Sequence, residues 1–328
     1  MHFWKGANIE SWLEFALDRQ VKIIDIRVCK MKITLNLSNL IGRPLPGLKC
    51  LKQLYFHGVH VDDLEVQLLL SNFPLLESLT IEFSRRLRNV LVVGHGMILK
   101  LKRLDISYAE YLESIEIRDM VNLVSFKCYG HRSRYVLRLG NLPKLIEFST
   151  SEEHAKNTLA VVLPTIPSYI HDQLRLLKVW THPPLIQTHL PAYELINVKH
   201  LELKVNIEAR YSTIQLFPLI EACSSLEKLE IEFLWRLNNA KKLKDCEVLL
   251  FSPSKKKSPN LKKLTMSGYL GSTAELEFAL VMMNKAASLE ELSVEPCDLT
   301  PKIRRMATAR AWKQFRPLTP NSVNLVIL

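Results

Sequence analysis

At 328 residues the chain is longer than one compact hydrophobic core usually grows, so it contains either two domains or an elongated repeat structure. Hydrophobic residues make up 48% of it, which excludes disorder as a description of the whole. The net charge of +11 is compatible with a polyanionic partner, but the basic residues are spread along the chain and we interpret them first as a positively biased surface.

The first 20 residues predict an N-terminal capping helix. Apolar and acidic residues alternate through Ile9–Arg19 at helical spacing, and this stretch lacks the apolar core of a signal peptide. A strand-like segment follows, in which Val21, Ile24 and Ile26 form a degenerate copy of the unit that recurs later.

From residue 51 onward a unit with apolar residues at relative positions 0, 3 and 5 recurs along the chain. Its copies begin at Leu51, Leu76, Leu101, Leu123, Leu145, Leu174, Val198, Leu226, Leu261 and Leu289. Successive starts are 22 to 35 residues apart, and most intervals fall in the range of leucine-rich repeats. The spacing therefore predicts a leucine-rich-repeat solenoid over residues 21–297.

The positions within each unit predict its local structure. Positions 3 and 5 differ by two, so in a strand their side chains share one face, and stacked units make the apolar core continuous. The predicted class is α/β, with a parallel concave sheet and a convex side that is partly helical and partly extended. Residues 298–328 are predicted to form a C-terminal capping segment.

The return segments differ along the chain. After Phe56, Asp62 or Asp63 caps a predicted helix that ends before Pro74. Leu112-Glu-Ser-Ile115-Glu-Ile117 alternates and predicts an extended convex segment or a short extra strand.

Two later segments carry capping-box patterns. Ser272-x-x-Glu275 opens a predicted helix through about residue 286, whose inward stripe consists of Leu276, Ala279, Leu280 and Met283. Ser212-x-x-Gln215 is a weaker version, because Pro218 falls inside its helical window.

Residues 150–171 and 235–260 break the rhythm and are interpreted as loops or irregular repeats. The second segment carries Lys241, Lys242, Lys244 and Lys255–Lys257, which could contact nucleic acid or another polyanion. Because no aromatic residues alternate with these lysines, a solvated loop is the preferred interpretation.

Candidate chemistry is sparse. His57-x-x-His60 is the nearest approach to a metal pair, and we interpret both as surface polar residues; Gly94-His95-Gly96 is interpreted as a turn. No nucleophile motif, phosphate loop or dinucleotide fingerprint occurs, so we expect neither an enzyme nor a cofactor. The six cysteines are far apart without C-x-x-C spacing, which favours a reducing compartment, cytoplasmic or nuclear. No run of about 18 apolar residues predicts a membrane span.

Positions 2, 4 and 6 of each unit point away from the core, and we expect them to bind a protein partner. Aromatic residues are common interface anchors, so Tyr129 and Trp180 are the preferred contacts. The candidate partner-binding residues are Tyr55, His57, Arg103, Asp105, Lys127, Tyr129, Leu176, Lys178, Trp180 and Lys204.

Several segments resemble plant F-box/leucine-rich-repeat proteins. The stretch Ile9–Lys22, with its Trp12-x-x-Phe15-Ala16, is similar to the helix and strand that follow their F-box, and residues 60–79 and 122–126 resemble their repeats. Residues from about 258 to 292 are similar to their FBD-like C-terminal repeats.

The resemblance implies a substrate-recognition region of Skp–cullin–F-box ubiquitin ligases, in which the repeats hold a protein target. Only 11 residues precede Trp12, fewer than an F-box needs, so we expect no binding of the Skp adaptor by this chain. The alternatives are a standalone scaffold or decoy, and a polyanion binder acting through the basic loops.

Overall fold

The computed structural model describes residues 9–28, 33–37, 45–94, 99–130, 135–151, 166–181, 194–207, 213–240 and 258–328. The chain divides into two compact units. Unit 1 comprises residues 1–155 and 162–170, and unit 2 comprises residues 156–161 and 171–328.

Unit 1 contains a parallel sheet whose strands follow one another in chain order, one strand per repeat. The strands are β1 (Ile23–Arg27), β3 (Gln53–His57), β5 (Ser78–Glu82), β7 (Arg103–Ala109), β9 (Ser125–Gly130) and β11 (Glu147–Ser151). Leu54, Leu79 and Leu104 lie beside one another in register, and all three are buried. The predicted positions 3 and 5 therefore form the core, where each buried leucine contributes about 2 kcal/mol.

A second parallel sheet forms the extended return segments of unit 1. Its strands are β6 (Asn89–Val93), β8 (Ser114–Arg118) and β10 (Val136–Gly140), and β8 is central. The alternation through Leu112–Ile117 predicted β8, whereas β6 and β10 were not predicted. A shorter pair joins β2 (Ile33–Thr34) to β4 (Val59–His60).

Two helices and a 3-10 turn complete the described part of unit 1 up to residue 151. They are α1 (Ile9–Asp18), the 3-10 helix Pro46–Lys49 and α2 (Asp63–Asn72). Asp62 caps α2 by accepting a hydrogen bond from the Glu65 amide, and the Glu65 carboxylate accepts one from the Asp62 amide. Of the two capping residues that the sequence offered, Asp62 is the one used.

Unit 2 repeats the arrangement, with parallel strands in chain order. The strands are β12 (Leu176–Thr181), β13 (His200–Ile207), β14 (Lys228–Trp235), β15 (Lys263–Tyr269), β16 (Glu291–Pro296) and β17 (Asn324–Ile327). The helical segments after residue 166 are α3 (Ser168–His171), the 3-10 helix Thr213–Leu216, α4 (Phe217–Ala222), α5 (Leu237–Ala240), α6 (Thr273–Lys285) and α7 (Pro301–Phe315). The segment after residue 297 thus supplies a helix and a further strand, which pairs with β16.

Two details of the helices in unit 2 differ from the sequence-based expectation. Leu280 and Met283 are only half-buried, whereas Phe278 is fully buried, because the stripe is turned toward Phe217 and Phe233. Pro218 does not interrupt a helix, since α4 begins at Phe217 and places the proline in its first turn.

Several predictions fall on residues outside the described ranges. These are the basic loops at 241–257, the Ser212 cap, His95, Gly96, Cys29 and Cys246. The other four cysteines, Cys50, Cys128, Cys223 and Cys297, are free thiols. Among the described helices, none is long and apolar enough to cross a membrane.

Candidate functional site

Five ring side chains of unit 1 lie in a line across the carboxyl ends of β3, β5, β7 and β9. We name Tyr55, His57, Phe83, Tyr108 and Tyr129 the aromatic row. The ring centroids of successive members are 6.4, 4.8, 4.6 and 6.1 Å apart, within the range of favourable ring pairs. The Phe83 side chain is 42% exposed, so the middle of the row reaches solvent.

Two members of the aromatic row have an unusual backbone conformation. Phe83 and Tyr108 have φ angles of 60° and 57°, in the left-handed region that side chains with a Cβ rarely adopt. In two other repeats the same position, seven residues after the repeat start, is occupied by Gly58 and Gly268 with φ of 74° and 70°. Large rings at a position suited to glycine cost about 1–3 kcal/mol each, and strain of this kind is concentrated at functional sites.

A carboxylate network lies directly beside the aromatic row. The Tyr55 hydroxyl donates to Glu82 Oε2 over 2.5 Å, and His57 Nδ1 lies 3.1 Å from the same oxygen. Burial acts to raise the pKa of Glu82, but the hydrogen bonds from Tyr55 and His57, together with Lys127, outweigh it and hold that pKa below its ordinary value. Burial and the bond to Glu82 raise the pKa of Tyr55, so its hydroxyl remains a donor.

Asp105 extends the network to the next strand. Lys127 Nζ lies 2.7 Å from Asp105 Oδ2 and 3.7 Å from Glu82 Oε1, and the Ser107 hydroxyl donates to the other Asp105 oxygen. Burial raises the pKa of Asp105 despite these partners. Lys127 Nζ also lies 4.8 Å from the centre of the Tyr129 ring, so one ammonium group joins the carboxylates to the aromatic row.

Unit 2 presents a different surface at the equivalent positions. Ion pairs join neighbouring strands, among them Lys178–Glu202 at 2.7 Å, Lys204–Glu232 at 2.5 Å and Lys263–Glu291 at 2.6 Å. Such partly exposed pairs contribute little to stability individually, about 0–1 kcal/mol. This surface is therefore a ladder of compensated charges.

One group of potential metal ligands occurs in the described part of unit 2. Ligand atoms of His200, Glu202 and Glu230 lie within 4.8 Å of one another. Lys178 is bonded to Glu202, however, and Lys228 to Glu230, so both carboxylates are already neutralised. Burial lowers the pKa of His200. The lysines oppose a divalent cation here, and the group does not favour metal binding.

The structure separates the predicted partner-binding residues into two sets. Unit 1 brings together Tyr55, His57, Asp105, Lys127 and Tyr129, whereas the exposed Arg103 lies at the opposite end of β7. Leu176, Lys178, Trp180 and Lys204 lie on β12 and β13 of unit 2. His57 is a hydrogen-bonded member of the aromatic row and not merely a surface polar residue.

Sequence reasoning did not identify Phe83 and Tyr108. The strand alternation predicts outward-facing side chains only at positions 2, 4 and 6 of each repeat. At position 7, where Phe83 and Tyr108 lie, the left-handed backbone ends that alternation. The glycines at the same position in other repeats could have identified them. A recurrent glycine indicates a left-handed backbone, so an aromatic residue at that position indicates local strain.

A search of the curated proteins found no match to the chain. A family model described as "At1g61320/AtMIF1, LRR domain" matches residues 21–319, which includes both units and nearly all of the described strands. The stacked parallel strands, one per repeat, agree with this match. The chain therefore belongs to the At1g61320/AtMIF1 family of leucine-rich-repeat domains.

Proposed function

We propose that this chain is a non-catalytic recognition module that binds a protein target through the aromatic row, in the manner of the target-binding region of an F-box ubiquitin ligase subunit. Leucine-rich-repeat domains serve as protein-interaction scaffolds, which supports the general part of the proposal. The resemblance of Ile9–Lys22 and of the C-terminal repeats to plant F-box proteins supports the ligase role. We place the protein in the cytoplasm or nucleus.

The observation that carries the proposal is the strained pair Phe83 and Tyr108, of which Phe83 is exposed and Tyr108 half-buried. A glycine would satisfy the backbone at both positions, as it does at Gly58 and Gly268. The rings therefore supply a stacked aromatic surface that glycine could not provide. Aromatic side chains dominate binding energies at protein interfaces, which makes a protein target the preferred partner.

The experiment compares proteins captured from plant extract by the wild-type chain and by two variants. Phe83→Gly with Tyr108→Gly removes the central rings, whereas Lys228→Gln with Lys263→Gln changes the charged ladder of unit 2 as a matched control. We expect a defined set of proteins to be lost at least about tenfold with the ring variant and retained with the control. Equal capture by all three chains would contradict the use of the aromatic row.

The ligase role needs its own measurement. Quantifying the Skp adaptor and cullin in the same captures shows whether the targets arrive with ligase components. Because this chain itself is not expected to bind the adaptor, adaptor recovered together with the targets would support the ligase role directly, whereas targets recovered without it would favour a standalone scaffold or decoy. The aromatic row would remain its binding surface in that case.

A further inference from the structure

The last helix of the chain carries a concentration of positive charge. Five basic residues and no acidic ones lie within α7, and Arg316 follows directly. This helix is anchored on the sheet of unit 2 by Ile303, Ala307, Ala311 and Phe315, which are buried. Its other face is therefore a fixed, solvent-facing surface.

Four cations on that face have no carboxylate partner among the described residues: Lys302, Arg305, Lys313 and Arg316. Elsewhere in the described ranges many basic side chains are paired with carboxylates, as in Lys102–Glu77 at 2.8 Å and Lys199–Glu227 at 2.7 Å. Basic residues outside these pairs, such as Arg138 and Arg236, lie on separate repeats. Within the helix, the exposed ion pair is Arg304–Asp298. The feature that distinguishes α7 is that four such cations share the exposed face of a single helix.

The order of charges in α7 opposes the helix dipole. Cations are unfavourable near a helix N-terminus, yet Lys302 and Arg305 lie in its first turns without a carboxylate partner among the described residues, and only Arg304 is paired, with Asp298. Thr300 still caps the helix through the Ile303 amide, so the helix start itself is well formed. A sequence that violates a local stability rule without a structural gain indicates a ligand for those charges.

An exposed aromatic ring lies among these cations. Trp312 is 48% exposed, and Arg305 and Arg316 are seven residues before it and four after it, which places all three on one helical face. The row from Lys302 to Arg316 spans about 21 Å. Aromatic rings interleaved with basic side chains suit single-stranded nucleic acid, whose phosphates meet the cations while a base stacks on the ring.

We propose that the outward face of α7 binds single-stranded nucleic acid, with Lys302, Arg305, Lys313 and Arg316 on the phosphates and Trp312 stacked on a base. An anionic membrane fits less well, because the apolar face of α7 is buried against the sheet and cannot insert into lipid.

Fluorescence anisotropy of a labelled oligouridine of about 16 nucleotides tests the site with the full chain. One variant combines Lys302→Gln, Arg305→Gln, Lys313→Gln and Arg316→Gln. The matched control, which we call the rim control, removes the same charge from four lysines that directly precede strands and are paired with glutamates. Its substitutions are Lys52→Gln, Lys102→Gln, Lys199→Gln and Lys262→Gln. Circular dichroism of each variant verifies folding, which these exposed positions should preserve.

We expect the α7 variant to lose at least about tenfold in affinity, and the slope of log K against log salt between about 50 and 200 mM to fall in magnitude by about 3. The rim control should stay within about twofold of wild type. Trp312→Ala should weaken binding by about fivefold or more without changing the slope, and Trp312→Phe should restore part of it.

Three results would overturn the proposal. Full affinity in the α7 variant would assign any binding to other basic segments, such as residues 241–257. An equal loss of affinity in the rim control would show that binding depends on net charge and not on the α7 face. Tighter binding of poly-glutamate or phosphatidylserine vesicles than of oligouridine, dependent on the same α7 residues, would identify a different class of partner.

Discussion

Phe83 and Tyr108 stack in parallel at the ends of neighbouring strands, with ring centroids 4.6 Å apart and ring planes inclined by 9°. Both residues reach this arrangement only through a left-handed backbone. The same conformation that costs free energy turns the rings out of the strand alternation and toward each other. Strain and stacking are therefore two aspects of one local geometry.

The first prediction separates the strain from the contact. Phe83→Gly relieves the left-handed backbone, whereas Phe83→Ala keeps the strain and also loses the ring. We expect the glycine variant to be more stable than the alanine variant by about 1 kcal/mol, measured by urea denaturation.

Tyr129 provides the matched control, since its ring belongs to the same row but its backbone is not left-handed. There the order should reverse, with Tyr129→Ala more stable than Tyr129→Gly by about 0.5–1 kcal/mol. The same order at both positions would contradict the assigned role of the backbone at Phe83.

The second prediction concerns the pH dependence of the carboxylates beside the row. The pKa of Glu82 lies below its ordinary value of 4.5, so the stabilisation from its partners is present above that pH and is lost as pH falls through the lower, folded-state pKa. Glu82→Gln should therefore flatten the loss of stability on acidification, measured by urea denaturation from neutral pH to about pH 3.

Asp105 should change the pH dependence of stability in the opposite direction. Its pKa is raised by burial, so its contribution is present at low pH and is lost as pH rises through the folded-state pKa. Asp105→Asn should steepen the acid loss that Glu82→Gln flattens. Parallel changes in the two variants would refute the opposite shifts.

The third prediction tests the register of the core. Leu104 is 1% exposed and lies beside Leu79 and Phe126 on the neighbouring strands. Leu104→Asp buries a charge without a partner and should lower the free energy of unfolding by about 4 kcal/mol or more. Arg103→Asp, at the exposed neighbour, should change it by less than about 0.5 kcal/mol. Unchanged thermal melting of Leu104→Asp would disprove the register.

The fourth prediction addresses the start of α2. Asp62→Ala removes the acceptor for the Glu65 amide and should cost about 1 kcal/mol, whereas Asp62→Asn retains a good cap and should cost little. Ser71→Ala, in the last turn of α2, should be nearly neutral because it removes only a bond back to the Gln67 carbonyl. Thermal denaturation measures the stability of each variant. Equal losses of stability in the two Asp62 variants would argue against the cap.

The repeat and the caps were predictable because their causes are local in the chain. Positions 3 and 5 of a strand must share a face, and a side chain such as Asp62 reaches an amide three residues ahead. Leu276 and Ala279 of the predicted inward stripe of α6 are buried, but the strands β6 and β10 and the burial of Phe278 on α6 were missed, because contacts with neighbouring elements determine them. Phe278 is buried through its contacts with Phe217 and Phe233, which lie far from it in sequence.

The order of apolar residues was sufficient to predict a stack of parallel strands. The alternation within each unit places the apolar side chains on one face of its strand, and neighbouring units must stack to bury that face. It could not reveal the functional surfaces. Tyr55 and Glu82 are 27 residues apart, and Lys127 and Asp105 are 22 apart, so they meet only when neighbouring strands pair in register. The basic face of α7 likewise became apparent only because the structure buries the opposite face of the helix against the sheet. Folding determines which side chains become neighbours, and therefore which charges are compensated and which remain available to a partner.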